Sequence, residues 1–119
     1  MDRDPVPQLH DRILILRQPW LRLILAGDKT LEVRAQALSS GRYWLGHKGM
    51  IYGVAQLGSA IKIETVDAWH ASYPEHRVDS PTLPYKTTYG LPILSARPTR
   101  LVRYAHRPGA ISVVKYRPG

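Results

Sequence analysis

The sequence predicts an α+β chain, a small mixed β-barrel with one or two short flanking helices. Short runs rich in branched apolar residues recur along its whole length, among them "RILIL", "KTLEVR", "TRLVRY" and "AISVVKY". Gly53 and Gly58 break the longest apolar run, and glycines inside a strand pattern mark the bulges or bends that curl a sheet. Helical patterning is confined to two brief stretches.

The first run, "RILIL" (12–16), reads as a buried strand. Pro19 suits the first turn of a helix, where its missing N–H costs nothing. Trp20, Leu21, Leu23, Ile24 and Leu25 cover most of that helix, with Arg22 the main polar exit. Such a helix must be packed nearly all round, as a plug against a sheet or barrel. Gly27 fits a left-handed C-cap. "KTLEVR" (29–34) alternates, with Leu31 and Val33 toward the core and Thr30, Glu32 and Arg34 on a polar face. "QALSSGR" reads as a loop, and "YWL" (43–45) as a short strand before the turn at "GHKG".

"MIYGVAQLGSAIKIETV" (50–66) is strand-like but broken by its glycines. "TVDAWHASYPEHR" (65–77) is a short helix cut at Pro74. From Asp79 onward six prolines argue for loops around two or three strands, best placed at "LPIL" (91–94), "TRLVRY" (99–104) and "AISVVKY" (110–116). A turn is expected at "HRPGA".

At 119 residues the chain is one domain, read as an N-terminal tail (1–11) and a single folded unit (12–119). The absence of cysteine excludes disulfide staples, thiolate zinc sites and a cysteine nucleophile. "MDRDPVPQLHDR" has no apolar core of a secretory signal, and the apolar run 13–26 is too interrupted by charge to span a bilayer. The expectation is a soluble, cytoplasmic protein without membrane partners.

The net charge is +8, unevenly spread. Residues 1–79 hold ten Lys/Arg and all nine Asp/Glu, whereas 80–119 hold Lys86, Arg97, Arg100, Arg103, Arg107, Lys115 and Arg117 with no acid. That asymmetry favours a polyanionic partner, nucleic acid first.

The spacing Gly27-x-Lys29-x-x-Glu32-x-Arg34, with "QPW" (18–20) before it, resembles the signature of the ASCH family, a branch of the PUA-like superfamily. Downstream, "IYGVAQL" (51–57) resembles the family's next barrel strand and "VRYAHRPGAISVVKY" (102–116) its closing hairpin. The resemblance spans roughly residues 12–116. It implies a PUA-like barrel of five or six strands with a cleft beside the Gly-x-Lys turn. It also implies binding of RNA or another single-stranded nucleic acid, or, as in a few members, ribonuclease or N4-acetylcytidine amidohydrolase activity.

Within the motif, Lys29 opens a strand just past a helix cap, placed to grip a phosphate or base carbonyl or, if desolvated, to act as a base. Glu32 and Arg34 share a strand face about 7 Å apart, as a structural ion pair or as direct ligand contacts. A carboxylate beside Lys29 holds that lysine charged. Trp44, between Arg42 and Lys48, is the aromatic best placed to stack on a base; Trp20 reads as core or cleft wall, and Tyr52 and Tyr104 as core. The expected nucleic-acid contacts are Arg17, Lys29, Glu32, Arg34, Trp44, Lys48, Arg103 and Arg107, with Lys29 and Glu32 catalytic if the protein is an enzyme. The amidohydrolase reading leans on a lysine, a motif threonine and a distant glutamate. Lys29 matches the first, Glu32 stands where the threonine is expected with Thr30 two residues earlier, and Glu64 or Glu75 would serve as the third. The five histidines show no metal-ligand spacing, no phosphate loop is present, and no cofactor is indicated. The expected function is therefore nucleic-acid binding through a basic cleft, with a hydrolase of nucleic acid or nucleosides as the alternative and a protein-interaction module third.

Overall fold

β1 (Arg12–Ile15) shows how the fold buries both faces of its sheet. Leu14 lies in one core cluster with Leu16, Tyr43, Leu45 and Leu57, while Ile13 lies in another with Trp44, Ile51 and Val114. The computed structural model describes residues 4–119. After β1 come α1 (Trp20–Leu25), β2 (Leu31–Arg34), β3 (Gly41–His47), β4 (Met50–Leu57), β5 (Ile61–Ile63), α2 (Val66–Ala71), α3 (Tyr73–His76), β6 (Thr88–Arg103) and β7 (Val113–Lys115). The strands form one mixed sheet in the order β2-β6-β4-β3-β1-β7, with β5 also paired to β6. Only β1 and β3 run parallel among these pairs. The sheet curls into a half-barrel, the α+β architecture that the sequence predicts.

α1 plugs the concave side. Leu21 and Ile24 are buried in the first cluster, Leu23 and Leu25 are half-buried, and Arg22 is exposed. Leu25 meets the sheet at Gly53, where an added Cβ would stand 2.6 Å from Leu25 Cδ2 and 2.5 Å from the Arg97 carbonyl oxygen. Only glycine lets helix and strand approach this closely. The same stretch carries a bulge at Tyr52, skipped in the pairing of β4 with both β3 and β6. Tyr52, expected in the core, is accordingly half-buried at its edge, whereas Tyr104 is buried.

Several elements differ from their expected bounds, and β7 keeps only residues 113–115 of the expected 110–116. β3 spans seven residues rather than three. The run 50–66 divides into β4 and β5 around Gly58, and 65–77 divides into two helices at Ser72. Most clearly, "LPIL" and "TRLVRY" are parts of one 16-residue strand, β6, despite Pro92 and Pro98. Pro92 sits where β6 leaves β2 and joins β4, beside a register shift, and Pro98 faces Gly53 at the bulge. Both are places where the ladder is already interrupted and a missing N–H is tolerated. Among the described residues no helix is long and apolar enough to cross a membrane.

Candidate functional site

The site is built on the turn that joins α1 to β2. Gln18 Oε1 accepts the Arg22 backbone N–H at 3.0 Å, ordering the start of α1 after the cis Gln18–Pro19 bond. Gly27, at φ +81°, closes its end. The backbone N–H groups of Asp28 and Lys29 both reach the Leu23 carbonyl, at 2.9 and 3.1 Å. Thr30 N–H donates to the Glu75 carbonyl at 2.9 Å, and the Thr30 carbonyl accepts from Ile93 at 2.8 Å. Lys29 is thereby fixed between α1, α3 and β6.

Its side chain is fully buried. The ammonium donates to the His76 carbonyl, stands 3.6 Å from Glu32 Oε1 and lies 4.8 Å from the centre of the Trp20 ring. Glu32, 5% exposed, accepts from Arg34 Nε at 2.9 Å and pairs with Arg34 Nη2 at 2.8 Å, both through Oε2. Arg34 Nη2 also donates to the Ile15 carbonyl at 2.6 Å, and Nη1 reaches Ser112 Oγ at 3.5 Å. One arginine thus ties β2, at one end of the sheet, to β1 and the chain just before β7 at the other. The Glu32–Arg34 ion pair is formed within the protein itself. Burial pushes the Lys29 ammonium below its ordinary pKa, with the Glu32 carboxylate opposing that shift. Burial and the carboxylate, which sequence reasoning credited with holding the lysine charged, act on it in opposite directions.

His76 completes the support. Its Nδ1 accepts the Val78 N–H at 2.9 Å, so Nε2 carries the proton and donates to the Trp69 carbonyl at 2.8 Å. The ring stacks on Trp69 at 3.7 Å, and burial lowers its pKa. Arg77, at φ +62°, ends α3 immediately after the carbonyl that Lys29 takes.

Above this floor opens a cavity of about 550 Å³. Arg17, Trp20, Gln36, Tyr85 and Ser112 wall it, Lys29, Glu32 and Arg34 border it below, and Ile15, Val33 and Val78 supply apolar surface. The volume suits one nucleoside-sized ligand. Among the described residues no three His, Asp or Glu side chains cluster to hold a metal ion.

Of the eight expected contacts, Arg17, Lys29, Glu32 and Arg34 meet at this cavity. Trp44 does not, and its expected stacking role is corrected. It is 1% exposed because β3 is covered on both faces, and its indole N–H is held by Asp11 Oδ2 at 3.0 Å. Lys48 is exposed in the β3–β4 turn, Arg103 is exposed at the end of β6 and Arg107 in the following loop; none lines the cavity. Glu64 and Glu75 are also exposed and outside it. Trp20 forms a wall, as one of its two expected readings had it. Tyr85, Gln36 and Ser112 were not among the expected contacts: Tyr85 and Gln36 lie in irregular segments, and Ser112, expected within a strand, falls just before β7.

The family model described as "ASCH domain" matches residues 14–98. A crystal structure of ASCH from Zymomonas mobilis is similar in fold, with a TM-score of 0.72, 16% identity, and 91% of this chain and 88% of that chain covered. A serine-to-alanine mutant of the Zymomonas mobilis protein gives a TM-score of 0.71 at 15% identity, covering 94% of this chain and 92% of that one. No curated protein matches this chain.

Proposed function

The chain belongs to the ASCH family, and from that premise we propose that it binds RNA or another single-stranded nucleic acid by taking one nucleotide into the cavity above Lys29. The observation that carries this reading is the pairing of a cavity of about 550 Å³ with the Trp20 wall and a cationic border. Exposed Arg17 meets the phosphate, and Trp20 and Tyr85 offer ring surface to the base. Arg34 and Glu32, locked to each other, present fixed donors and acceptors at the base of the cavity. Lys29, buried against the His76 carbonyl, contributes charge and position rather than a direct grip on phosphate.

Fluorescence anisotropy with labelled single-stranded RNA tests it. Affinity should fall steeply with added salt, and Trp20→Ala should weaken binding. Salt-insensitive binding, or none, sinks the reading.

The place of Lys29 and Glu32 at the border of the cavity, where burial also lowers the lysine's pKa, supports a second reading, in which a captured nucleotide or nucleoside is hydrolysed with these two residues central. Purified protein incubated with labelled RNA and with N4-acetylcytidine would show turnover that Lys29→Met abolishes. The exposure of Glu64 and Glu75 away from the cavity weighs against the amidohydrolase version.

A further inference from the structure

A second arrangement of polar groups lies outside the cavity, across β3, β4 and β6. The registers align Arg42 with Gln56 and Gln56 with Ser95 in one row, and Trp44 with Val54 and Val54 with Arg97 in the next. Side chains in these rows share the face on which Trp44 and Val54 are packed. A depression of about 140 Å³ lies there, lined by Arg42, Gln56, Ser95 and Arg97 with Val54 at its base. Two guanidinium forks flanking an amide and a hydroxyl make a set of donors suited to an oxyanion.

Both arginines are met by acids from the N-terminal segment. Arg42 Nη2 is 3.4 Å from Asp11 Oδ2, and Arg97 Nη1 is 3.0 Å from Asp4 Oδ1. The two acids are used differently. Asp11 also holds the Trp44 indole and the Gln8 N–H, so it belongs to the architecture. Among the described residues the Asp4 carboxylate takes its hydrogen bonds from β6, one oxygen on the Arg97 guanidinium and the other accepting the Arg100 backbone N–H at 3.1 Å. An arginine and a main-chain amide are what a phosphate's oxygens take from a protein. Residues 80–119 contain no acid, so the carboxylate that neutralises Arg97 comes from the far end of the chain.

We propose that Arg42, Gln56, Ser95 and Arg97 form a phosphodiester-binding subsite on the outer face of the sheet, and that Asp4 occupies its Arg97 end until a nucleic-acid phosphate displaces it. The proposal rests on the nucleic-acid reading above and extends it from one captured nucleotide to the backbone of the same strand. Displacement is easy because the Asp4–Arg97 pair is surface-exposed, with side chains 38% and 52% accessible, and such pairs are weak and screened by salt. The ligand exchanges one pair of oxygens for another, and Arg97 and the Arg100 amide never go without an acceptor.

The experiment uses two labelled probes of equal length: a single-stranded RNA, and an abasic deoxyribose-phosphate oligomer that has backbone but no bases. On the abasic probe Asp4→Asn should bind several-fold tighter than wild type, with a log–log salt slope steeper by about one. Arg97→Gln should bind more weakly, and adding Asp4→Asn to it should restore nothing; Arg42→Gln should also weaken binding. Melting curves should be unchanged by the exposed Asp4 and Arg97 substitutions. Three results overturn the subsite: no binding of the abasic probe, no gain in Asp4→Asn, or a gain that persists in the Arg97→Gln background as a mere effect of net charge. Trp20→Ala separates this from the cavity reading, because it should weaken only the RNA probe. Loss of that Trp20 effect with the Asp4 effect intact removes the cavity and leaves the subsite; the reverse removes the subsite alone.

Discussion

The cavity floor and the outer sheet patch use the same chemistry, arginine against carboxylate, in opposite ways. At the floor, Lys29, Glu32 and Arg34 come from six consecutive residues and their side chains are 0%, 7% and 14% exposed. Each finds its partner in the set, in a backbone carbonyl or in the Ser112 hydroxyl across the barrel opening. On the patch, Arg42 and Arg97 are 50% and 52% exposed, and their acids lie 31 and 93 residues away in sequence. Buried charges have surrendered their water and cannot lose a partner cheaply; exposed ones exchange partners with solvent and salt. Charge at the floor is therefore costly to unpair, while charge on the patch can change partners.

The sharpest way to break this contrast is to delete the carboxylate from each region. Glu32→Ala leaves buried Lys29 and half-buried Arg34 without their carboxylate, and Arg34 is the residue that links β2 to β1. It should cost about 3–5 kcal/mol in urea denaturation, whereas Asp4→Asn should leave the midpoint where it is. An equal response in both variants would dissolve the distinction. The aromatic residues give the next largest effect. Trp20→Ala should weaken single-stranded RNA binding by about 1–3 kcal/mol, the usual worth of one stacked base. Trp44→Phe should leave binding alone and cost about 1 kcal/mol of stability, from the lost hydrogen bond to Asp11. The reverse assignment would return Trp44 to the ligand.

These two tryptophans also mark where the sequence was legible. The plug helix, the Gly27 cap, a strand within 29–34 and the grouping of Lys29, Glu32 and Arg34 were all visible, because each is set by local pattern. Trp44 was misread because basic neighbours at Arg42 and Lys48 look like an open surface. Nothing local reveals that β3 lies between two other strands with both faces covered. The continuity of β6 was hidden for a similar reason: whether a proline breaks a strand depends on where its partners bulge. Tyr85 and Ser112 reach the cavity from irregular segments whose path is a tertiary matter. Nor does spacing foretell that Asp4 will dock on a strand some 93 residues on.

The smallest effect is a dependence on pH, and it isolates the floor because arginines on the patch do not titrate in the accessible range. Burial lowers the pKa of Lys29 from its ordinary 10.5, so the unfolded chain binds that proton more tightly than the folded one. Stability should then rise with pH across the window from the folded pKa up to 10.5, as the penalty for a buried ammonium disappears, and be lost again as pH falls through the folded value. Tyr104 acts with the opposite sign. Burial raises its pKa above 10.0, so its contribution is lost as pH climbs past that point. Comparing wild type with Lys29→Met removes the tyrosine, which both share, and leaves the lysine. Denaturation midpoints of the two proteins, followed from pH 7 upward, should diverge in favour of wild type as the lysine discharges. Parallel curves would mean that the Glu32 carboxylate offsets burial and leaves Lys29 as strongly protonated as in the unfolded chain, in line with what its spacing in sequence first argued, and would leave Lys29 no part as a base.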